Sequence, residues 1–143
     1  MADTIFINLP VADAARAAAF YEAIGFTRDS RFANAQAESV RWSDDVTLML
    51  IEHAMYANLT PKKIIDPRTE SGMLLALSRD SREAVDAICE AAYAAGGREA
   101  HGPEDHGFMY SRAFEDLDGH GWGPFWMDMA AFAAMQAQQS ETV

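Results

Sequence analysis

The side chains that could carry chemistry in this 143-residue chain are few, and the histidines among them are scattered. The chain contains four histidines: His53, His101, His106 and His120. No two of them form an HxH or HxxxH pair, the spacings that place two imidazoles on one side of a strand or a helix. His101 and His106 enclose Glu104 and Asp105, so two imidazoles and two carboxylates could hold a cation there. Such clusters are also common outside functional sites, and a solvated loop is the simpler interpretation.

Cys89 is the one cysteine of the chain, which excludes an internal disulfide. It stands in the apolar sequence AICEA (87–91), within a segment of helical periodicity. A reactive thiol needs electropositive surroundings that stabilise the thiolate. We therefore expect Cys89 to be a buried structural thiol and not a nucleophile.

The charge balance is strongly acidic, with 11 basic and 22 acidic residues and a formal net charge of −11. This sign opposes binding to phosphate backbones and to anionic membrane surfaces, so we expect neither a nucleic-acid nor a membrane partner. No stretch approaches the roughly 18 apolar residues of a membrane span. The first residues lack the basic and apolar regions of a signal peptide. A reducing cytoplasm is the expected location.

The first half of the chain predicts one strand, one helix and three further strands. Asp13 is the expected N-cap of the helix and Gly25 its expected terminator, because these residue types favour the two ends of a helix. The strands are expected at residues 4–9, 26–32, 37–42 and 46–53, and the helix at residues 14–24.

The second half repeats this order. Asp80 and Glu83 resemble a capping box at the start of a helix that runs to about Ala95, and Gly96 follows. Asp118 and Gly119 form a strong turn signal between the last two strands. The strands are expected at residues 73–78, 98–101, 108–115 and 121–127.

The chain is therefore predicted to be a single α+β domain with an internal βαβββ repeat. Module one spans about residues 4–53, and module two spans about residues 71–128. Residues 54–70 form a linker, for which a plain connection is favoured over a lid above a pocket. A C-terminal helix is expected over residues 129–139.

Four segments carry a resemblance to a known family: FINLPVAD (6–13), AFYEAIGF (19–26), GMLLALS (72–78) and FEDLDGHGW (114–122). Together they resemble the glyoxalase, bleomycin-resistance and extradiol-dioxygenase superfamily, also called vicinal oxygen chelate proteins. The resemblance covers residues 4–128. It implies two modules that form an open, cup-shaped mixed sheet with helices on the convex side, and it implies a homodimer. Members typically bind a divalent metal such as Fe, Mn, Ni or Zn through His, Glu or Gln.

The positions that correspond to the family's metal ligands carry no suitable donors in this chain. Counted by register, they are Phe6, Met49, Leu74 and Gly123. Divalent cations of this kind need oxygen, imidazole or thiolate ligands, and methionine sulfur is too soft for most of them. Where the family usually has Trp-Glu, this chain has Trp122-Gly123. The sequence therefore predicts no metal ion and no other cofactor.

Strand alternation predicts which side chains would line the cup. The candidate ligand-binding residues are Phe6, Asn8, Thr47, Met49, His53, Leu74, Ser111, Gly123 and Phe125. The register of the 108–115 strand leaves two possibilities open. With Ser111 toward the cup, Arg112 lies on the helix side and needs a carboxylate partner. With the register shifted by one residue, Tyr110 and Arg112 face the cup, and Arg112 can anchor an anion.

Three functions remain in competition. In the first, which we favour, the protein binds a small apolar or aromatic molecule in the cup without a metal. In the second, it is a metal-dependent lyase of the glyoxalase type or an extradiol dioxygenase, with ligands from outside the usual register. In the third, its own side chains fill the cup, and the protein serves as an interaction partner. A shared fold does not decide among them.

Overall fold

The two predicted modules are present in the computed structural model, which describes residues 3–141. Module one contains five elements in the expected order and a short additional helix. They are β1 (Ile5–Val11), α1 (Ala14–Ala23), β2 (Thr27–Arg28), β3 (Ala37–Ser43), β4 (Val46–Glu52) and α2 (His53–Tyr56).

Module two repeats this order after the linker, and a C-terminal helix follows. Its elements are β5 (Leu74–Ser78), α3 (Arg82–Ala94), β6 (Arg98–Glu99), β7 (Glu104–Asp105), β8 (Met109–Ser111), β9 (Phe114–Glu115), β10 (Gly121–Met127) and α4 (Met129–Glu141).

Each module forms a mixed sheet of its own, and the predicted α+β class is confirmed. The first sheet has the order β1-β4-β3-β2, and the second has the order β6-β9-β10-β8-β7 with β5 beside β10. In each module the first strand is parallel to the last one, β1 to β4 and β5 to β10. The curved surface is thus divided between two sheets, with β1 and β5 at their edges.

Helices α1 and α3 cover one face of the sheets, here called the convex face. The alternation of β1 explains this: Ile7, Leu9 and Val11 face the helices, while Phe6 and Asn8 point to the opposite, concave face. One cluster of buried side chains draws members from both modules. Its largest members include Leu9, Tyr21, Leu48, Leu50, Phe114 and Trp122.

The helix ends follow the sequence signals with one exception. Asp13 caps α1 by accepting a hydrogen bond from the backbone N–H of Arg16 at 3.1 Å. Gly25 and Gly96 follow α1 and α3 with φ of +116° and +103°, a conformation that costs glycine little. The predicted cap at Asp80 is wrong, because Ser81 accepts from the N–H of Ala84 at 3.0 Å.

Two predicted strands are shorter than expected. The strand predicted at residues 26–32 ends at Arg28, and a 3-10 turn at Ser30–Phe32 follows. The strand predicted at residues 108–115 is interrupted between β8 and β9. Glu104 and Asp105, predicted to lie in a loop, instead pair with β8 as β7 and extend the edge of the sheet.

A buried group of polar side chains joins the modules on the convex side. The hydroxyl of Tyr21 in α1 donates to Oδ2 of Asp116 at 2.5 Å, and Nε1 of Trp122 donates to the Tyr21 oxygen at 3.1 Å. Burial raises the pKa of the Tyr21 phenol well above its usual value. The imidazole Nε2 of His120 lies 2.7 Å from the carbonyl oxygen of Pro10. The turn of the FEDLDGHGW segment is therefore bound to the end of β1 and to α1.

Candidate functional site

The four positions that correspond to the family's metal ligands all lie on the concave face. In module one Phe6 lies opposite Thr47, so Met49 is its diagonal neighbour two residues further along β4. In module two Leu74 lies opposite Gly121, so Gly123 is the diagonal neighbour two residues along β10. The same diagonal in both modules supports the register used to find these positions.

The chemistry of these side chains does not fit a divalent cation. A phenyl ring, a thioether, an isobutyl group and a bare glycine offer no oxygen, imidazole or thiolate donor. Among residues 3–141, no group of three or more His, Cys, Asp or Glu side chains is arranged to hold a metal ion. Cys89 is buried between α3 and the sheet, and burial raises its thiol pKa to about 11.

The concave face of module one is largely closed by its own chain. Phe32, in the segment between β2 and β3, packs edge-on against Phe6 with ring centroids 5.5 Å apart. Thr47 and Ile51 on this face are buried, and Met49 is half-buried. The segment with the 3-10 turn contacts β3, and α2 contacts β4 and β1. The candidates Thr47 and Met49 therefore lie beneath protein.

The concave face of module two is more open. Leu74 is 79% exposed, and Ala76 and Ser78 beside it are also exposed. Gly123 and Phe125 on the neighbouring strand are half-buried. Ser111 lies opposite Phe125, so it shares the concave face as the favoured register required.

Arg112 lies on the convex side, and the first of the two possible registers is confirmed. Its guanidinium donates to Oδ1 of Asp86 at 2.9 Å and to Oε1 of Glu90 at 3.0 Å. Burial lowers the pKa of Arg112, but these hydrogen bonds outweigh it and raise the pKa above its usual value. The guanidinium also lies over the ring of Tyr93. Arg112 is therefore occupied by structural partners and does not face the cup.

His53 departs from the predicted arrangement. The strand ends at Glu52 and His53 begins α2, so strand alternation does not place His53 beside Thr47 and Met49. It instead lines a smaller pocket of about 350 Å³ beneath the linker, together with Asp66, Arg68 and Asp118.

A cavity of about 540 Å³ lies between the two modules, where β1 and β10 approach the linker. Its floor includes two of the predicted site residues, Asn8 and Leu74, and also Gly121 and His120. Its roof is the segment 56–73, whose cavity-lining members include Tyr56, Thr60, Lys62, Lys63, Ile64, Ile65, Pro67, Thr69, Glu70 and Met73. Residues of the linker thus line a pocket, whereas the sequence had favoured a plain connection over a lid.

Sequence reasoning missed the roof because its residues have no helical or strand periodicity. The available signal was two isoleucines, Ile64 and Ile65, between Pro61 and Pro67, since adjacent apolar residues in a loop need a surface to cover. Gly72 makes room for this packing: a Cβ there would lie 2.7 Å from Cδ1 of Ile65. The lining is mostly apolar with a few polar groups, as in typical small-molecule pockets.

The doubled βαβββ module with a concave surface defines a class of α+β proteins, and sequence comparison gives the family. The model of the Glyoxalase/Bleomycin resistance protein/Dioxygenase superfamily matches residues 5–123. The chain belongs to this superfamily, and the resemblance found in the sequence is confirmed. No curated protein matches the chain in sequence.

Solved structures share the fold over most of this chain. A hypothetical protein from S. aureus is 25% identical, with a TM-score of 0.75 over 88% of this chain and 95% of its own. A glyoxalase/bleomycin resistance protein/dioxygenase family enzyme from Burkholderia phytofirmans is 19% identical, with a TM-score of 0.75 and coverage of 88% and 99%. A bleomycin resistance determinant encoded on the transposon Tn5 is 24% identical, with a TM-score of 0.60 and coverage of 89% and 99%. At these identities the likeness concerns the fold.

Proposed function

We propose that this protein binds a small, largely apolar or aromatic molecule in the cavity between its modules, without the divalent metal of its family. The observation that carries the proposal is the roofed cavity of about 540 Å³, whose size and apolar lining suit a ligand of that kind. The four positions on the concave face support the metal-free part, because they offer no ligand atoms.

The binding part is tested with the neutral fluorescent probe N-phenyl-1-naphthylamine, whose emission rises in apolar surroundings. Leu74→Asp places a carboxylate on the apolar floor of the cavity and should weaken binding at least about tenfold, because the charge must be desolvated when the probe enters. Leu59→Asp is the matched control, since Leu59 is also exposed but does not line the cavity. A wild-type protein that does not bind the probe, or a Leu74→Asp variant that binds it normally, would contradict the proposal.

The metal-free part is tested by elemental analysis of protein purified without chelator. We expect Fe, Mn, Ni and Zn each well below one equivalent per chain. A stoichiometric content of any of them, lost together with probe binding on dialysis against chelator, would overturn this part and favour the alternative of a lyase or dioxygenase with ligands outside the usual register.

We also propose that the protein is a homodimer in the cytoplasm. The support for the dimer is the edge strand β1, which carries the exposed apolar side chains of Ile5 and Phe6. Long apolar edges of this kind are usually covered in soluble proteins. Analytical ultracentrifugation should find a dimer that Ile5→Lys weakens and Leu59→Lys leaves unchanged. A monomeric wild type would contradict the dimer.

Within residues 3–141, no helix has the length and apolar character to cross a bilayer.

The interaction-protein alternative has one supporting observation, the closed concave face of module one. It requires that the remaining cavity be filled as well. The probe titration decides between the two, because a filled cup would leave no room for N-phenyl-1-naphthylamine.

A further inference from the structure

The roof of the cavity carries both lysines of the chain. The full sequence has 11 basic residues, and the only lysines among them are Lys62 and Lys63. Both line the cavity, and Lys63 also lines the smaller pocket beside it. In a protein of net charge −11, two adjacent cationic side chains at the mouth of an apolar cavity are the feature that needs an explanation.

These two charges are not used for ion pairs within the chain. Among residues 3–141, no carboxylate oxygen lies within 4.0 Å of either lysine ammonium, whereas several arginines are paired. The arginines in ion pairs are Arg28, Arg31, Arg41, Arg82 and Arg112. Arg16, Arg68, Arg79 and Arg98 also lack an ion pair within the described residues, but none of these arginines lines the cavity, whereas both lysines do.

The carboxylates of Glu70 and Glu115 also line the cavity, and each has a neighbour other than the two lysines. Oε1 of Glu70 accepts a hydrogen bond from the backbone N–H of Asp66 at 3.0 Å within the roof. Glu115 lies on β9, at the sheet wall, directly opposite Arg98 of β6. Within the part of the chain that the structure describes, neither carboxylate lies within 4.0 Å of a lysine ammonium, so both lysines remain available to an anionic group.

The backbone that carries the lysines is ordered by its neighbours. Oγ1 of Thr60 accepts from the N–H of Lys62 at 3.2 Å across Pro61, a local turn that fixes the start of the pair. Ile64 and Ile65 follow directly and are half-buried in the roof. The lysines are exposed and the isoleucines half-buried, so the lining combines cationic and apolar side chains, and a ligand with both kinds of surface would match it.

We infer that the ligand of this cavity carries an anionic group, such as a carboxylate, sulfonate or phosphate, beside its apolar body, and that Lys62 and Lys63 bind this group. The inference rests on the proposed binding function and names the chemical class of its ligand. The lysine stems can lie along the apolar rim while the ammonium groups remain hydrated and reach the anion.

The test compares two probes that differ by one sulfonate group: neutral N-phenyl-1-naphthylamine and anionic 1-anilinonaphthalene-8-sulfonate. The wild type should bind the sulfonate about tenfold more tightly. Lys62→Gln and Lys63→Gln should each weaken sulfonate binding about threefold, and the double variant about tenfold, because partly exposed ion pairs contribute modestly. Binding of the neutral probe should change less than about twofold in all of them.

Two matched variants separate charge from other effects. The double change Lys62→Arg with Lys63→Arg keeps both charges and should retain the preference for the sulfonate. Arg16→Gln removes one exposed charge on α1, away from the cavity, and should leave both affinities unchanged. The preference should also shrink as salt rises from about 0.1 M to about 1 M, where the screening length falls from roughly 10 Å to roughly 3 Å.

The outcomes distinguish this inference from the proposed function. If the wild type binds both probes equally, or if the lysine changes weaken both probes alike, the inference is wrong and the binding function stands. If the wild type binds neither probe, both are wrong. A preference for the sulfonate that the double Gln variant abolishes and the double Arg variant keeps supports both.

Discussion

The concave faces of the two modules have the same strand order and the same diagonal positions, yet one is closed and the other is open. In module one the connection between β2 and β3 folds over the face, and Phe32 packs on Phe6. In module two the corresponding connection forms β7, which pairs with β8 and extends the sheet sideways. The difference therefore arises from the connecting segments and not from the strands.

The composition of these connections explains the difference. Residues 30–36 read SRFANAQ and include a phenyl ring, whose burial against the sheet is favourable. Residues 101–107 read HGPEDHG and contain no large apolar side chain, so covering the face would bury polar groups without compensation. A repeated module can thus be closed or left open by a change in one loop, while its sheet stays the same.

The largest difference between the two concave faces is expected when a carboxylate is placed on each of them. Ile51 on the closed face is 4% exposed, so Ile51→Asp buries an unpaired charge and should lower the free energy of unfolding by about 3–5 kcal/mol. Leu74→Asp on the open face should lower it by less than about 0.5 kcal/mol. Urea denaturation measures both values. An equally large loss in the two variants would mean that the face of module two is covered in solution.

A smaller loss is expected where the modules meet. Tyr21→Phe removes the hydroxyl that lies between Asp116 and Trp122, and leaves a buried carboxylate oxygen and a buried indole N–H without that partner. Urea denaturation should report a loss of about 1–3 kcal/mol.

The control for Tyr21→Phe is Tyr93→Phe, which removes a bond of 2.8 Å to the carbonyl oxygen of Ala113 within module two. Tyr93 is only half-buried, so water can replace the lost hydroxyl and the cost should be smaller. Equal losses of stability in the two variants would show that the hydrogen bonds of Tyr21 between the modules stabilise the fold no more than a hydrogen bond within one module.

Sequence reasoning found the parts of the fold that depend on local signals. Strand alternation in β1, the cap at Asp13 and the glycines after α1 and α3 each follow from one residue and its neighbours. It failed at His53, because nothing in the apolar run 46–52 indicates that the strand ends at Glu52 and a helix begins. It also placed much of the site on the strands, whereas much of the cavity is lined by the roof, whose position depends on contacts with both modules.

Phe32→Ala tests whether the loop between β2 and β3 covers the concave face of module one. The edge-on contact with Phe6 is partly exposed, so its loss should cost about 1 kcal/mol in urea denaturation. Phe6 should also become more accessible, and N-phenyl-1-naphthylamine should gain a second, weaker binding phase.

His101→Ala, in the corresponding connection of module two, is the matched control for Phe32→Ala. Its side chain is exposed, and the change should alter stability by less than about 0.5 kcal/mol. Identical stability and probe binding in Phe32→Ala and the wild type would show that the loop does not close the face.

The smallest effect should come from the titration of Asp116. Burial raises the pKa of this carboxyl above its usual value, although the charge of His120 and the hydrogen bond from Tyr21 oppose the shift. The folded state then binds the proton more tightly than the unfolded state, so ionisation of Asp116 destabilises the protein above its folded pKa. As the pH falls from about 7 toward about 4, this penalty disappears and the wild type should gain stability relative to Asp116→Asn.

Urea denaturation of both proteins over this pH range measures the difference, and Asp44→Asn, at an exposed turn residue, serves as the control. The hydrogen bond from Tyr110 lowers the pKa of Asp86, and because this contact is present in all three proteins, its contribution cancels in the comparison. A difference between wild type and Asp116→Asn that stays constant with pH would mean that water reaches Asp116. The polar contacts between the modules would then be accessible to water. The convex side, and not only the concave face of module two, would contain a region open to solvent.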